Sequence, residues 1–333
     1  MNFTFFAQNK IRLDELLRSE LPRAIENDQK NALSHSKIRR LILSGSVFVD
    51  GVQIRRPAYV VFKDSKVNVL FDEAKFFFEK QPSDVNFVLS EKDVLFEDAF
   101  FILVNKPAFF PVEEAFSGAQ KRNNLHDEVV RYMHSKNPDL RNPPYCGVMH
   151  RLDRETSGVI LFTKQRAVNK AIHRMFEDHN FKKVYTAVCC PHAAVPRCGD
   201  EFTVENYIGR ISPKGQRAKW GILPAEKGGV YSKTNFKIVD EIASLTNGRQ
   251  KTYFVVQAEP VTGRTHQIRV HLSGKGLPIL GDTLYGGDDA ERVMLHASRL
   301  EFSHPASGAV LSVKATCPFF SPSANGFEAL QNS

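Results

Sequence analysis

Apolar residues in this chain arrive in short runs that never fall into a regular strand–helix–strand rhythm, and this limits the fold more than any other feature. VLFEDAFFILVNKP (residues 94–107) reads as strand, turn, strand, and GVILFTK (158–164) reads as a buried strand. AVNKAIHRMFED (167–178) instead places Val168, Ala171, Ile172 and Met175 at helical spacing, after which KKVYTAVCC (182–190) returns to strand. Strands joined directly as often as through helices argue against a doubly wound parallel sheet. The expected class is α+β, with a mixed, largely antiparallel sheet.

The pattern changes near the N-terminus, which predicts a small unit over residues 1–72, a linker over 73–90 around Pro82, and a larger domain over 91–325. RLDELLRSEL carries Leu13, Leu16 and Leu17 on one helical face, and SHSKIRRLILSG does the same with Ile38, Leu41 and Ile42. Ser34 or Ser36 can cap the second helix and Gly45 can end it. Asp50-Gly51, flanked by alternating apolar residues, predicts a tight hairpin, because a primed turn needs positive φ at both central positions. Lys37, Arg39 and Arg40 then share an exposed helical face near Arg55 and Arg56. From charge alone, a solvated face and a phosphate-binding face are both open.

Composition narrows the function classes. At 333 residues, 42% hydrophobic and with 26 Phe, the chain can bury a sizeable core and argues against extended disorder. No apolar run approaches the roughly 18 residues that span a bilayer, and no secretory signal is visible at the start, so a cytoplasmic location is expected. Cys146, Cys189, Cys190, Cys198 and Cys317 are too few and too irregular for a disulfide framework. Cys189, Cys190, His192 and Cys198 cluster without the paired C-x2-C spacing of structural zinc, so no metal is expected. A net charge of +8 suits a polyanionic partner.

Two segments bear chemistry. In HRLDRETSG (150–158), Asp153 lies between Arg151 and Arg154. A carboxylate with an ordinary pKa of about 3.9 is ionised at neutral pH, and flanking arginines favour that form, which suits a nucleophile better than a general acid. The plainer reading is an Asp closing a turn with Thr156 and Ser157. In VTGRTHQIRVHLSGKGLPILGDTLYGG (261–287), Arg264, His266, Arg269 and His271 crowd one short stretch beside Ile268 and Leu272, ahead of a polar turn at Gly281-Asp282. SGKG lacks the phosphate-loop spacing, the two histidines do not form H-E-x-x-H, and no G-x-S-x-G elbow is present.

Residues 11–70 resemble the S4 RNA-binding domain in their order of helix, S-x-S-x-I-R-R helix and V-x-V-D-G hairpin. The resemblance implies that Lys37, Arg39, Arg40 and Arg55 lie along an RNA backbone, contacts that give affinity without sequence choice. HRLDRETSGVILFTK, KKVYTAVCC, the 261–287 segment and LHASRLEFSHPASG occur in the order of the RluA-type RNA pseudouridine synthases, a likeness that covers roughly residues 93–315. It implies the pseudouridine synthase fold and the isomerisation of uridine within RNA to pseudouridine, with no cofactor and no metal. Asp153 is then the catalytic residue, acting at C1′ or, alternatively, at C6 of the base. Tyr185 packs on the target base and is a candidate for removing the C5 proton; Arg264 pairs with Asp153; Arg151 fills the space left by the extruded nucleotide.

The implied substrate is structured RNA, with ribosomal RNA, particularly of the large subunit, favoured over transfer RNA, and a monomer is expected. The segment AFFPVEEAFSGAQKRNN (108–124), with Glu113 and Glu114, departs from the family's pattern and bears on target choice. Two competing readings are a non-catalytic RNA-binding assembly factor, which would be signalled by loss of Asp153, Tyr185 or Arg264, and a hydrolase using Asp153 as a general base on a small substrate. None of those three residues is lost.

Overall fold

The computed structural model describes residues 2–24, 38–39, 41–42, 45–70, 85–113, 123–192, 197–213, 218–246, 249–323 and 326–329. The chain divides into two compact units, with residues 1–84 making up most of the first and residues from Val85 onward most of the second.

The first unit contains strand β1 (Asn2–Phe6), β2 (Ile11–Arg12), helix α1 (Leu13–Ala24), β3 (Val47–Val49), β4 (Val52–Gln53), β5 (Val60–Val61) and β6 (Lys66–Leu70). β1, β6, β3 and β4 form one antiparallel sheet in that order, and β2 pairs with β5. The expected hairpin is present: Val49 pairs with Val52 across Asp50 at φ 48° and Gly51 at φ 84°. Leu13, Leu16 and Leu17 of α1 are buried with Ile38, Leu41 and Ile42 against Val47, Val49, Val67 and Val69, so the two leucine-isoleucine stripes read from the sequence meet in one core. Gly45, at φ 85°, supports the tight exit that leads into β3. Arg55 lies close over it, donating to Gln53, whose amide in turn donates to the Gly45 carbonyl at 2.8 Å.

The second unit is built on a sheet ordered β13-β12-β14-β15-β11-β16-β10-β8-β7, with β9 beside β10 and β17 beside β16. These are β7 (Val94–Glu97), β8 (Phe101–Lys106), β9 (Gly147–Val148), β10 (Ser157–Thr163), β11 (Lys182–Cys189), β12 (Glu201–Arg210), β13 (Trp220–Ile222), β14 (Val230–Thr246), β15 (Arg249–Pro260), β16 (Leu295–Ser303) and β17 (Val310–Lys314). A short pair, β18 (Phe320–Ser323) and β19 (Gly326–Ala329), follows. Among these pairings only β10 with β16 is parallel, so the sheet is mixed and largely antiparallel, as expected. Helices α2 (Leu125–Ser135), α3 (Asn169–Glu177) and α4 (Gln267–Gly274) complete the unit.

Alternation explains why β10 reads as one continuous apolar run. Ile160 and Phe162, with Ile102 and Val104 of β8, pack with Val129 and Met133 of α2. Val159 and Leu161, with Phe101 and Leu103, pack in a separate cluster with Ile172 of α3. Both faces are covered over Val159–Phe162, which is why these central positions are all apolar. The expected linker over 73–90 is not reproduced at its end: Leu89 is buried in the α2 cluster and its N–H donates to the Glu128 carboxylate at 3.1 Å. Residues 71–84, the rest of that linker, lie outside the described residues.

Candidate active site

The parallel pairing of β10 with β16 sets where the polar segment before β10 emerges. Gly158, at φ 114°, sits opposite Ala297, and a side chain there would drive into the Ala297 carbonyl, so glycine is required for the close approach. Just before it, Ser157 accepts from Arg292 at 2.8 Å and contacts His296 Nδ1 at 2.8 Å, both inside the unit. His150 is also structural: burial, then the charge of Lys183, pushes it down to about 3, and its Nε2 accepts the Leu161 N–H at 3.0 Å. The turn itself is closed by the Thr156 N–H donating to the Asp153 carbonyl at 3.0 Å. Within this rigid frame Leu152 points into the core, Arg151 is exposed, and the Asp153 side chain retains 24% exposure.

The charge that Asp153 faces comes from α4. Arg269 Nη1 lies 3.6 Å from Asp153 Oδ2 and 4.0 Å from Glu155 Oε2. The rest of its guanidinium is locked, with Nε and Nη2 donating to the two oxygens of Asp282 at 2.6 and 2.8 Å. Arg269 and Asp282 are 2% and 1% exposed, so this fork is a buried charge pair with fixed geometry. Burial opposes the guanidinium charge, but the Asp282 hydrogen bonds and the carboxylates of Asp282, Asp153 and Glu155 outweigh it and raise its pKa further. Glu155 feels the same balance: burial works against its charge, while backbone bonding, Arg269 and Arg154 bring its carboxyl below the ordinary range.

Arg264 therefore does not have the position expected of it. It is exposed, and its Nε donates to the Tyr231 carbonyl at 3.0 Å; among the described residues the arginine paired with Asp153 is Arg269. The physical reason lies in the backbone. His266, at φ 56°, makes a left-handed corner between the two arginines, so Arg264 stays on the approach to α4 while Arg269 is carried inward on the helix. Of the arginines flanking Asp153 in sequence, Arg154 contacts Glu155 at 3.4 Å and stacks over Phe109.

Tyr185 is brought to the site. On β11 it sits across from Ala258 and Ala297, whose small side chains leave room for its ring, and a bulge between Val184 and Tyr185 turns the strand there. Burial first, and then the Asp153 charge, raise its pKa, so its hydroxyl keeps its proton. Two residues earlier, Lys183 is pushed down to about 8 by burial and then by Arg264.

Lys106, of the N-K-P segment, was not singled out from the sequence. It is fully buried, and its ammonium donates to the carbonyls of Pro107, Phe110 and Arg154 at 2.8, 2.7 and 3.1 Å. Burial lowers its pKa to about 7, helped by Arg292 and opposed by Asp153 and Glu155. It thereby ties the first residues of the 108–124 segment to the residue after Asp153; residues 114–122 of that segment lie outside the described residues. Asp282 was visible only as part of a polar turn, and the signal that would have found it is a buried arginine in need of a planar acceptor. His271 is structural, held between Thr234, Ser232 and Asn206 at 2.9–3.1 Å and pushed down to about 4 by burial.

Of the basic residues expected on the first unit, Arg39 and Arg55 are exposed, and Lys37 and Arg40 lie outside the described residues. Among the described residues no group of His, Cys, Asp and Glu is arranged to hold a metal ion, and no helix is long and apolar enough to cross a membrane.

Comparison with known proteins identifies the family. The family profile described as RNA pseudouridylate synthase matches residues 100–274. The chain is 29% identical over 304 residues to the ribosomal large subunit pseudouridine synthase D of Vibrio parahaemolyticus serotype O3:K6, covering 86% of this chain and 83% of that one. It is 29% identical over 326 residues to the ribosomal large subunit pseudouridine synthase C of Vibrio cholerae serotype O1, covering 91% and 89%. Among solved structures, human RNA pseudouridylate synthase domain containing 1 superposes with a TM-score of 0.55 at 24% identity, over 72% of this chain and 90% of that one, a likeness of fold.

Proposed function

This chain belongs to the RNA pseudouridylate synthase family and is an RNA pseudouridine synthase, and on that premise we propose that it isomerises uridines of large-subunit ribosomal RNA with Asp153 as the nucleophile. The observation that carries this reading is the pairing of one partly exposed carboxylate, Asp153, with a guanidinium that Asp282 holds rigid. A nucleophile must be both reachable and aimed, and a buried fork supplies the aim without reorganisation during the reaction. The target nucleoside loses its bond from C1′ to N1, the uracil turns, C5 bonds to C1′, and the C5 proton departs. Asp153 bonds to C1′ as N1 leaves and is displaced when C5 bonds to C1′, and the C5 proton then passes to water.

Tyr185, protonated and beside Asp153, is the surface against which the turning base packs. Arg151 is exposed two residues before Asp153, where a planar cation can occupy the gap that an extruded nucleotide leaves in the RNA. The first unit's exposed Arg39 and Arg55 are proposed to contact RNA phosphates, together with Lys37 and Arg40. Ribosomal over transfer RNA is favoured by the names of both relatives.

Purified protein given RNA with tritium at uridine C5 tests this directly, because isomerisation must expel that hydrogen. Release from large-subunit ribosomal transcripts and not from transfer RNA is expected, and Asp153→Ala should lose it by roughly 10⁴-fold or more while still binding RNA. Release confined to transfer RNA overturns the substrate assignment; appreciable release by Asp153→Ala overturns the nucleophile.

A further inference from the structure

His266 lies at the corner between Arg264 and α4, in a left-handed conformation at φ 56° and ψ 19°. For a residue with a side chain this conformation costs on the order of 1 kcal/mol and persists where the surroundings hold it in place. What holds this ring is Tyr285, whose hydroxyl oxygen is 2.8 Å from His266 Nδ1 and also accepts the Trp220 N–H at 3.0 Å. The two rings meet edge to face at 5.6 Å, and Tyr285 is itself fixed by the Ser273 hydroxyl, which donates to its carbonyl at 2.7 Å.

The tyrosine hydroxyl bears on the tautomer of this ring. The tyrosine hydroxyl has one hydrogen, and with Trp220 donating to its oxygen, its remaining partner among the described residues is His266 Nδ1. If the hydroxyl gives its hydrogen to Nδ1, that nitrogen carries no proton and the proton of the neutral imidazole sits on Nε2. Burial keeps the ring neutral by lowering its pKa; Asp153, Glu155 and Asp282 act in the opposite direction and Arg269 in the same one.

Nε2 lies 3.9 Å from Asp153 Oδ2, the same oxygen that Arg269 Nη1 approaches at 3.6 Å. Two side chains from the start of α4 thus converge on one carboxylate oxygen, and among the described residues no hydrogen bond reaches the other, Oδ1. Hydrogen bonds of an active site are commonly long before substrate fills it and tighten on binding.

We propose that His266 is a positioning residue: Tyr285 fixes it as the Nε2–H tautomer, which closes with Arg269 onto Asp153 Oδ2 and makes Oδ1 the oxygen that attacks. This rests on the reading of Asp153 as nucleophile, but its first test does not depend on turnover. In full-length, substrate-free protein with ¹⁵N-labelled histidine, the resonances that vanish in His266→Gln identify this ring. They should show a protonated Nε2 and a bare Nδ1, and Tyr285→Phe should mix the two tautomers. A protonated Nδ1 in the wild type overturns the proposal whatever the enzyme's activity.

The second test uses side-chain shape. The amide of Gln can place an N–H where Nε2–H stands, whereas Asn reaches only the Nδ1 position. Tritium release should fall by about 10²-fold in His266→Asn, the scale expected for one lost donor, and recover to within about tenfold of wild type in His266→Gln. Equal loss in the two variants, or no loss in either, overturns the proposal. Failure of the wild type itself to release tritium would instead count against Asp153 chemistry, leaving the tautomer measurement to judge His266 on its own.

Discussion

Arg269 and the arginines of the first unit carry the same charge under opposite conditions. Arg269 is 2% exposed and has its hydrogen bonds to Asp282 at 2.6 and 2.8 Å, whereas Arg39 and Arg55 stand on an exposed surface. A buried guanidinium has no water to compensate a lost partner, so its worth is geometric: it fixes where one carboxylate points. An exposed guanidinium is screened by salt and mobile, so it contributes affinity and no aim. On the proposed reading, the charge surplus of this chain is split between orienting a reaction and holding a polyanion, and the split can be measured.

The sharpest break in the comparison is Arg269→Lys. A single ammonium cannot span both Asp282 oxygens and still face Asp153, so turnover by tritium release should drop by roughly 10²–10³-fold while RNA affinity stays near wild type. Wild-type turnover in that variant would mean the buried fork has no part in aiming Asp153. Lys106→Met comes next, because it leaves the carbonyls of Pro107, Phe110 and Arg154 without their buried donor. A loss of about 2–4 kcal/mol in unfolding free energy is expected from denaturant melts.

Lys106 also predicts a pH dependence whose sign follows from its lowered pKa of about 7. Between that value and the ordinary lysine value the unfolded chain binds the extra proton, so stability contributed at this site rises with pH through that window. The wild type should therefore gain about 1–2 kcal/mol over Lys106→Met between pH 7 and 9, less than full linkage because the three carbonyls favour the ammonium. A constant difference across that range would show that the lysine does not titrate there.

Arg264→Ala tests the contrast within one segment. Being exposed, Arg264 should cost turnover less than tenfold, mainly through KM, against the far larger loss at Arg269. The smallest effect on turnover belongs to Arg39→Ala with Arg55→Ala. At low salt it should be near wild type, while the slope of log affinity against log salt flattens by about one unit for each phosphate contact removed. An unchanged slope would separate the first unit from RNA binding altogether.

Legibility differed by residue in ways that trace to physics. The Asp50-Gly51 turn was readable because positive φ at two positions leaves few alternatives, and both are positive in the structure. The strand β10 was readable because a sheet covered on both faces needs an unbroken apolar run, which Val159–Phe162 provide. Helix α4 misled in the opposite way: Gln267 through Leu272 are all buried, so no polar face marks which side meets the site. Its polar residues are satisfied inside, with Gln267 donating to Thr234 and the Lys233 carbonyl, and His271 enclosed by Thr234, Ser232 and Asn206. Resemblance found the segment, but which of its two arginines faces Asp153 depended on a corner at His266 that no periodicity reports.

By itself the sequence determined the α+β class and the strands around 158–164 and 182–190, from local spacing, and, through its family resemblance, the candidacy of Asp153 and Tyr185. The tertiary structure decided partnership. Arg269 over Arg264, Asp282 as the lock, Lys106 as the tie behind Asp153 and Tyr285 as the hand on His266 all join residues separated by many positions along the chain. Such contacts are set by where a parallel strand pair and one left-handed residue bring the backbone, and the charge on a side chain is the same before and after that folding; only its neighbours are new.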